Sequence, residues 1–191
     1  MIERLNFKDL RKALPVLNDW LGERQYGYRD LPTHIKATLM HFSMVWSIFE
    51  FQALENNANP DSITDFVNEK MPADYDFSTF EEAFSYYTQR YVEGGRIKAD
   101  RFNALVGANP KMQPNRETVE GIRSALLGNT STPQGKLIGL LLVVYRLRNN
   151  TFHGVKWKDG VDDQHDNFEH AICVLMNTMD AFLPKEEANR E

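Results

Sequence analysis

The nine residues Leu137-Ile-Gly-Leu-Leu-Leu-Val-Val-Tyr145 decide the fold of this chain. They form its longest apolar run, which is too short to cross a bilayer, since a spanning helix needs roughly 20 apolar residues. The run lies in a helix that we predict from residue 134 to 149, and it carries apolar side chains on nearly every side. A helix of that kind is surrounded by other helices, so we expect it to be the central, most buried element.

Apolar residues recur at spacings of three and four along the rest of the chain, and no segment shows sustained strand-like alternation. The pattern predicts helices near residues 7–20, 33–56, 61–69, 79–92, 97–106, 116–127, 134–149 and 164–182. Cap signals support four starts: Asn59-Pro60, Ser78 with Glu81, Thr132-Pro133 and Asp163. The predicted fold class is therefore all-α, with helix packed on helix.

The length of 191 residues favours a single domain, which we place at residues 1–183. Hydrophobic residues make up 42% of the chain and charged residues 26%, a balance that excludes wholesale disorder. Residues 57–115 are richer in Asn, Pro, Gly and short helices, and we interpret them as an insertion between core helices. The polar residues 184–191 are predicted to be a flexible tail.

Charge is unevenly distributed along the chain. Between Gly121 and Lys158 there is no Asp or Glu, and the six basic residues of this stretch contribute +6 to a total of −5, which leaves −11 on the remainder. The basic residues are Arg123, Lys136, Arg146, Arg148, Lys156 and Lys158. Such an island can attract a phosphate locally, whereas the acidic remainder argues against a protein that coats nucleic acid non-specifically. A solvated face with a chance run of basic residues is the alternative.

The polar segment Arg148-Asn-Asn-Thr-Phe-His153-Gly154 follows the apolar helix directly. Asn149, Asn150 and Gly154 tolerate the left-handed backbone of a helix C-cap, so we expect the helix to end between Arg148 and His153. An Arg offers a permanently charged fork for phosphate oxygens, and a His can transfer a proton near neutral pH. With a base for the 2′-hydroxyl and a cation for the phosphorane, RNA can be cleaved without a metal.

Arg148-Asn149-x-x-x-His153 resembles the RNxxxH form of the Arg-x4–6-His signature of HEPN domains, which are helical bundles of toxin–antitoxin, CRISPR-associated and other RNA-cleaving proteins. The second predicted helix, around Trp46 and Glu50, is similar to an aromatic-rich helix with a Glu in many of these proteins. The resemblance covers that helix and residues 134–182, and the fold it implies is a HEPN-like helical bundle. It also implies a homodimer in which two motifs form one cleft and cleave RNA without a cofactor.

In that family, Arg148 would bind the phosphate, His153 would transfer the proton, and Asn149 would orient one of them. We add Arg146, Asn150, Lys156 and Lys158 as predicted RNA-binding residues, and Glu50 as a carboxylate that could orient Arg148. The family context implies a bacterial toxin, stress or phage-defence role, with an antitoxin or another protein as a further partner.

Two other hypotheses stay open. The chain could be a catalytically inactive HEPN-like module that binds a protein partner or a nucleotide, or a helical scaffold without a site. The enzyme hypothesis predicts that Arg148 and His153 are both accessible at a two-fold interface. The scaffold hypothesis predicts that Arg148 is paired with a carboxylate and that His153 points away.

A metal site is the competing interpretation of residues around the start of the last helix. The candidate ligands are Asp162, Asp163, His165, Asp166, Glu169 and His170. His165 and His170 lack the four-residue spacing of paired helical ligands, and the helix dipole alone favours acidic residues on a first turn. We therefore expect no metal.

The expected location is the cytoplasm. Cys173 is the single cysteine, which excludes an intramolecular disulfide and fits a reducing compartment. The first eight residues, Met-Ile-Glu-Arg-Leu-Asn-Phe-Lys, lack the apolar core of a secretory signal, and we expect no membrane association.

Overall fold

The computed structural model describes residues 13–24, 27–107, 115–152 and 164–184. These residues form eight helices and one short hairpin of two strands. The elements are α1 (Ala13–Arg24), α2 (Thr33–Leu54), α3 (Pro60–Lys70), α4 (Ser78–Tyr91), β1 (Val92–Glu93), β2 (Arg96–Ile97), α5 (Ala99–Val106), α6 (Arg116–Leu126), α7 (Pro133–Phe152) and α8 (His165–Phe182). The all-α prediction is confirmed, and from α2 onward most helix ends lie within two residues of the predicted bounds.

The apolar helix α7 is the centre of the fold, as predicted. It packs against α3, α4, α5, α6 and α8. Its side chains from Leu140 to Val144, together with Leu137 and Leu147, are almost completely buried. The closest approach is to α6, where a Cβ at Gly139 would collide with the side chain of Ala125. None of the described helices combines the length and apolarity needed to cross a membrane.

Helices α2 and α8 pack along each other and form a second layer beside α7. The rings of Phe42 on α2 and Phe168 on α8 meet at a centroid distance of 5.1 Å. The buried face of α8 also contains Asn167 and Thr178, whose polar groups are satisfied inside the protein. Met176, one residue after the buried Leu175, is 49% exposed.

The described part of residues 57–115 contributes to the same hydrophobic core as the other helices. Each of α3, α4 and α5 packs against α7, and Ile63, Phe80 and Leu105 from these helices are fully buried. The interpretation of the segment as an insertion stays a prediction, but its described part does not form a separate layer of its own. Gly94 and Gly95, both with positive φ, form the turn between β1 and β2, a hairpin that was not predicted.

The helix starts confirm two of the four predicted caps. Asn59 accepts hydrogen bonds from the backbone of Asp61 and Ser62, and Thr132 Oγ1 accepts one from Gly135. The predicted capping box of Ser78 and Glu81 is wrong, because α4 begins at Ser78 itself, which donates to Asp76 two residues earlier. The fourth predicted cap residue, Asp163, lies outside the described residues.

Candidate functional site

The polar end of α7 remains helical through Phe152. The described end of the helix lies between Arg148 and His153, as expected, but Asn149 and Asn150, which were expected to suit that end, lie inside the helix. Both side chains are at least nine-tenths buried and bond to neighbouring groups, and these contacts outweigh the preference of asparagine for helix ends. Phe152 precedes His153, which lies outside the described residues together with Gly154, Lys156 and Lys158.

Arg148 is held by three side chains. Its Nη2 lies 3.6 Å from Oε2 of Glu50, and its Nη1 donates to Oδ1 of Asn149 at 3.0 Å. The guanidinium carbon lies 5.7 Å from the ring centroid of Trp46, within the range of a cation–π contact. Glu50 thus lies beside Arg148, a pairing that the scaffold hypothesis also predicts, and Asn149 contacts one of the two groups that it was predicted to orient.

Glu50 is itself held in place on α2. Its Oε2 accepts a hydrogen bond of 2.6 Å from Nε1 of Trp46, one turn earlier on the helix. Trp46 is buried, whereas the side chains of Glu50 and Arg148 remain 22% and 31% exposed. A carboxylate fixed in this way limits the orientations of the guanidinium while solvent still reaches the pair, which lowers the desolvation cost of an ion pair.

Arg146 and Asn150 face the interior, toward the end of α5. Asn150 Nδ2 donates to the carbonyl of Leu105 at 2.8 Å, and Arg146 Nε donates to the same oxygen at 3.5 Å. Both residues are 3% exposed, and burial lowers the pKa of the Arg146 guanidinium. A cation and an amide at this position satisfy the last carbonyls of α5 and complement its dipole. Their predicted contact with RNA stays a prediction that this geometry does not favour.

The candidate metal ligands divide into two groups. Side-chain atoms of His165, Asp166 and Glu169 all lie within 4.8 Å of one another, and Nε2 of His165 lies 3.2 Å from Oε1 of Glu169. His170 instead stacks on the ring of Tyr86 at a centroid distance of 3.9 Å. The helix dipole accounts for acidic groups on the first turns of α8, so the geometry does not require an ion. Asp162 and Asp163 lie outside the described residues.

Sequence reasoning missed two features of this site. The hydrogen bond from Trp46 to Glu50 joins residues four apart on one helix, a spacing at which side chains contact each other. This contact could therefore have been predicted from the sequence. The bonds from Arg146 and Asn150 to α5 join residues more than 40 positions apart and leave no local signal. Glu55, the other glutamate near this end of α2, is exposed.

No protein-family model matches this chain, and searches of curated proteins and of solved structures found no match either. The resemblance to HEPN domains therefore depends on α2 and on residues 134–182 of this sequence alone.

Proposed function

We propose that this protein is a metal-independent endoribonuclease of the HEPN type, acting as a homodimer with a composite active site. The observation that carries the proposal is the partly exposed Arg148, oriented by Glu50 and Asn149 within five residues of His153. A guanidinium that is already oriented and still exposed to solvent can bind a phosphate group. It can then stabilise the negative charge that develops on the phosphate in the transition state.

The proposed reaction uses the RNA's own 2′-hydroxyl as the nucleophile. The imidazole of His153 takes the hydroxyl proton, and the oxygen attacks the adjacent phosphorus. Arg148 stabilises the negative charge on the phosphorane, and Asn149 keeps the guanidinium in place. The bond to the 5′-oxygen then breaks, and a proton delivered by the second protomer's imidazole completes a 5′-hydroxyl. The products are a 2′,3′-cyclic phosphate end and a 5′-hydroxyl end.

We infer a role in a bacterial toxin, stress or phage-defence system, with an antitoxin as a further partner, in the reducing cytoplasm. The support for these points is the resemblance of the motif and, for the compartment, the single unpaired Cys173. RNA binding by an acidic protein with one basic island should weaken steeply with salt.

The second candidate is a catalytically inactive HEPN-like module that binds a protein partner or a nucleotide. It is favoured by the pairing of Arg148 with a carboxylate and by the burial of Arg146 and Asn150, which leave fewer cationic groups for a long RNA. A small anion could still compete with Glu50 for the guanidinium of Arg148.

The test is cleavage of a mixed RNA pool in EDTA by the parent protein and by Arg148→Ala and His153→Ala. Arg96→Ala is the control, because it removes one exposed positive charge from the hairpin. Cleavage that survives chelation, yields cyclic phosphate ends, and is lost in the two motif variants but not in the control supports the proposal. No cleavage by the folded parent protein, or equal cleavage by all four proteins, favours the binding module.

A further inference from the structure

One face of α2 exposes a stripe of large apolar side chains. Met40, Met44, Ile48 and Phe51 follow at spacings of four, four and three, so they lie along one side of the helix. They are 63%, 62%, 46% and 61% exposed, although the opposite face of α2 supplies buried aromatic residues to the core. Apolar side chains in a continuous row, rather than scattered singly, are typical of an interaction surface.

The ends of this stripe carry opposite charges. Lys36 lies one turn before Met40 and contacts the ring of Tyr28, and Glu55 is the left-handed residue that follows the last residue of α2, four positions after Phe51. Two copies of α2 can pack antiparallel with the middle of one stripe on the middle of the other. Residue 40 of one copy then faces residue 51 of the other, and residue 36 faces residue 55. Each lysine then meets a glutamate of the other copy, and each Met40 packs on a Phe51. The stripe is thus complementary to itself in apolar pattern and in charge, as a two-fold interface requires.

We propose that the stripe of Met40, Met44, Ile48 and Phe51 forms the dimer interface by docking antiparallel on the same stripe of a second copy of this chain. The inference names the surface of the homodimer in the proposed function and rests on that homodimer, but not on ribonuclease activity. Methionine suits such a surface because its unbranched side chain adapts to the facing side chains.

This arrangement places the two candidate sites on the same side of the dimer. Glu50 lies roughly 115° around α2 from the middle of the stripe, at 3.6 residues per turn. A two-fold axis perpendicular to both helices places a given side of α2 and the same side of its copy on one side of the dimer. With a rise of 1.5 Å per residue, the two Glu50 positions are separated by about 14 Å along the helix. The two Arg148 side chains would therefore open toward one shared groove.

The first experiment measures the mass in solution, by light scattering and sedimentation equilibrium, of the parent protein, Met44→Glu and Met176→Glu. Met176 is the matched control, because it is an exposed methionine on α8 outside the stripe. Neither side chain is needed for the core, so both variants should fold, which urea unfolding checks. The proposal expects a dimeric parent protein, a monomeric Met44→Glu and a dimeric Met176→Glu. A monomeric parent protein, or a Met44→Glu variant that remains dimeric, overturns it.

A charge exchange tests the antiparallel register. Lys36→Glu and Glu55→Lys should each weaken the dimer by about tenfold, because each turns two attractive pairs into repulsive ones. The double variant should recover the parent affinity. Without this recovery the antiparallel register is wrong, because a parallel dimer would place identical residues opposite each other.

The two proposals fail separately. A dimer that passes these tests but does not cleave RNA retains the interface and contradicts the ribonuclease. Cleavage by a dimer that Met44→Glu leaves intact contradicts the interface alone.

Discussion

Trp46 donates its indole hydrogen to the Glu50 carboxylate at 2.6 Å, and the two residues lie one turn apart on α2. The same carboxylate oxygen faces Nη2 of Arg148 on α7. A buried aromatic side chain thus fixes the anion that in turn fixes a partly exposed cation. The stability of the bundle and the orientation of Arg148 are coupled through this one oxygen atom.

Trp46→Phe should lower the free energy of unfolding by about 1–3 kcal/mol, because it removes the donor to Glu50 and leaves space beside it. Urea unfolding at pH 7 measures the change. A double-mutant cycle with Glu50→Gln should show a coupling of about 0.5 kcal/mol or more, since the two residues share one contact. Trp20→Phe is the control, because Trp20 is 41% exposed and its replacement should cost little. Additive effects of Trp46→Phe and Glu50→Gln would show that the negative charge of Glu50 does not strengthen the hydrogen bond, because the amide oxygen of glutamine can still accept it.

Asn150→Ala should destabilise the C-terminal end of α5. The substitution removes the shorter of the two hydrogen bonds to the Leu105 carbonyl and the bond to Ala104, and losing a buried hydrogen bond costs about 0.5–1.5 kcal/mol. Urea unfolding measures the loss, and hydrogen exchange of the last α5 amides should become faster than that of α8. Asn103→Ala, at an exposed position on α5, should not lower stability. If Asn150 instead serves mainly to bind RNA, Asn150→Ala will keep the stability of the parent protein.

Asp76→Ala should lower the urea midpoint at pH 7, and the difference should shrink in acid. Hydrogen bonds from the backbone and the hydroxyl of Ser78 lower the pKa of Asp76 below its ordinary 3.8. The stabilisation by the ionised carboxylate is therefore complete above 3.8 and is lost as the pH falls through the lower pKa of the folded protein.

The measurement is a series of urea midpoints between neutral pH and about pH 2, a range that includes the ordinary carboxyl pKa and the acid side of it. Asp74→Ala removes the same charge two residues earlier and is the control, because Asp76 is the residue bonded to the start of α4. A constant difference between Asp76→Ala and the parent protein at every pH would contradict the linkage.

The sequence predicted the features that depend on local or all-round patterns. The run from Leu137 to Tyr145 could only be buried on every side, and Asn59-Pro60 specifies a helix start through bonds within three residues. The pairing of Arg148 with Glu50 was one of two possibilities that the sequence left open, because Glu50 lies beside aromatic residues on α2 but could equally have been exposed.

Features that depend on how distant helices meet could not be predicted. The apolar spacing of α8 does not show that its buried face contains Asn167, whose carbonyl accepts a hydrogen bond from the buried Tyr87 on α4. Likewise, nothing near Arg146 in the sequence indicates that its partner is the carbonyl of Leu105. In both places a long-range polar contact outweighs the local apolar pattern, because a buried polar group must find a partner wherever the packing supplies one.

Glu50→Gln distinguishes two roles for the carboxylate that faces Arg148. If Glu50 positions the guanidinium for the phosphate, the neutral amide should lower kcat for RNA cleavage about tenfold or more. The reason is that a guanidinium held less firmly stabilises the transition state less. RNA affinity should stay equal or rise, since one negative charge near the phosphate is removed. Steady-state cleavage in EDTA separates kcat from KM, and Glu69→Gln, at an exposed glutamate on α3, is the control for lost charge. A higher kcat in Glu50→Gln would mean that the ion pair withholds Arg148 from the substrate, and that Glu50 inhibits the site rather than orienting it.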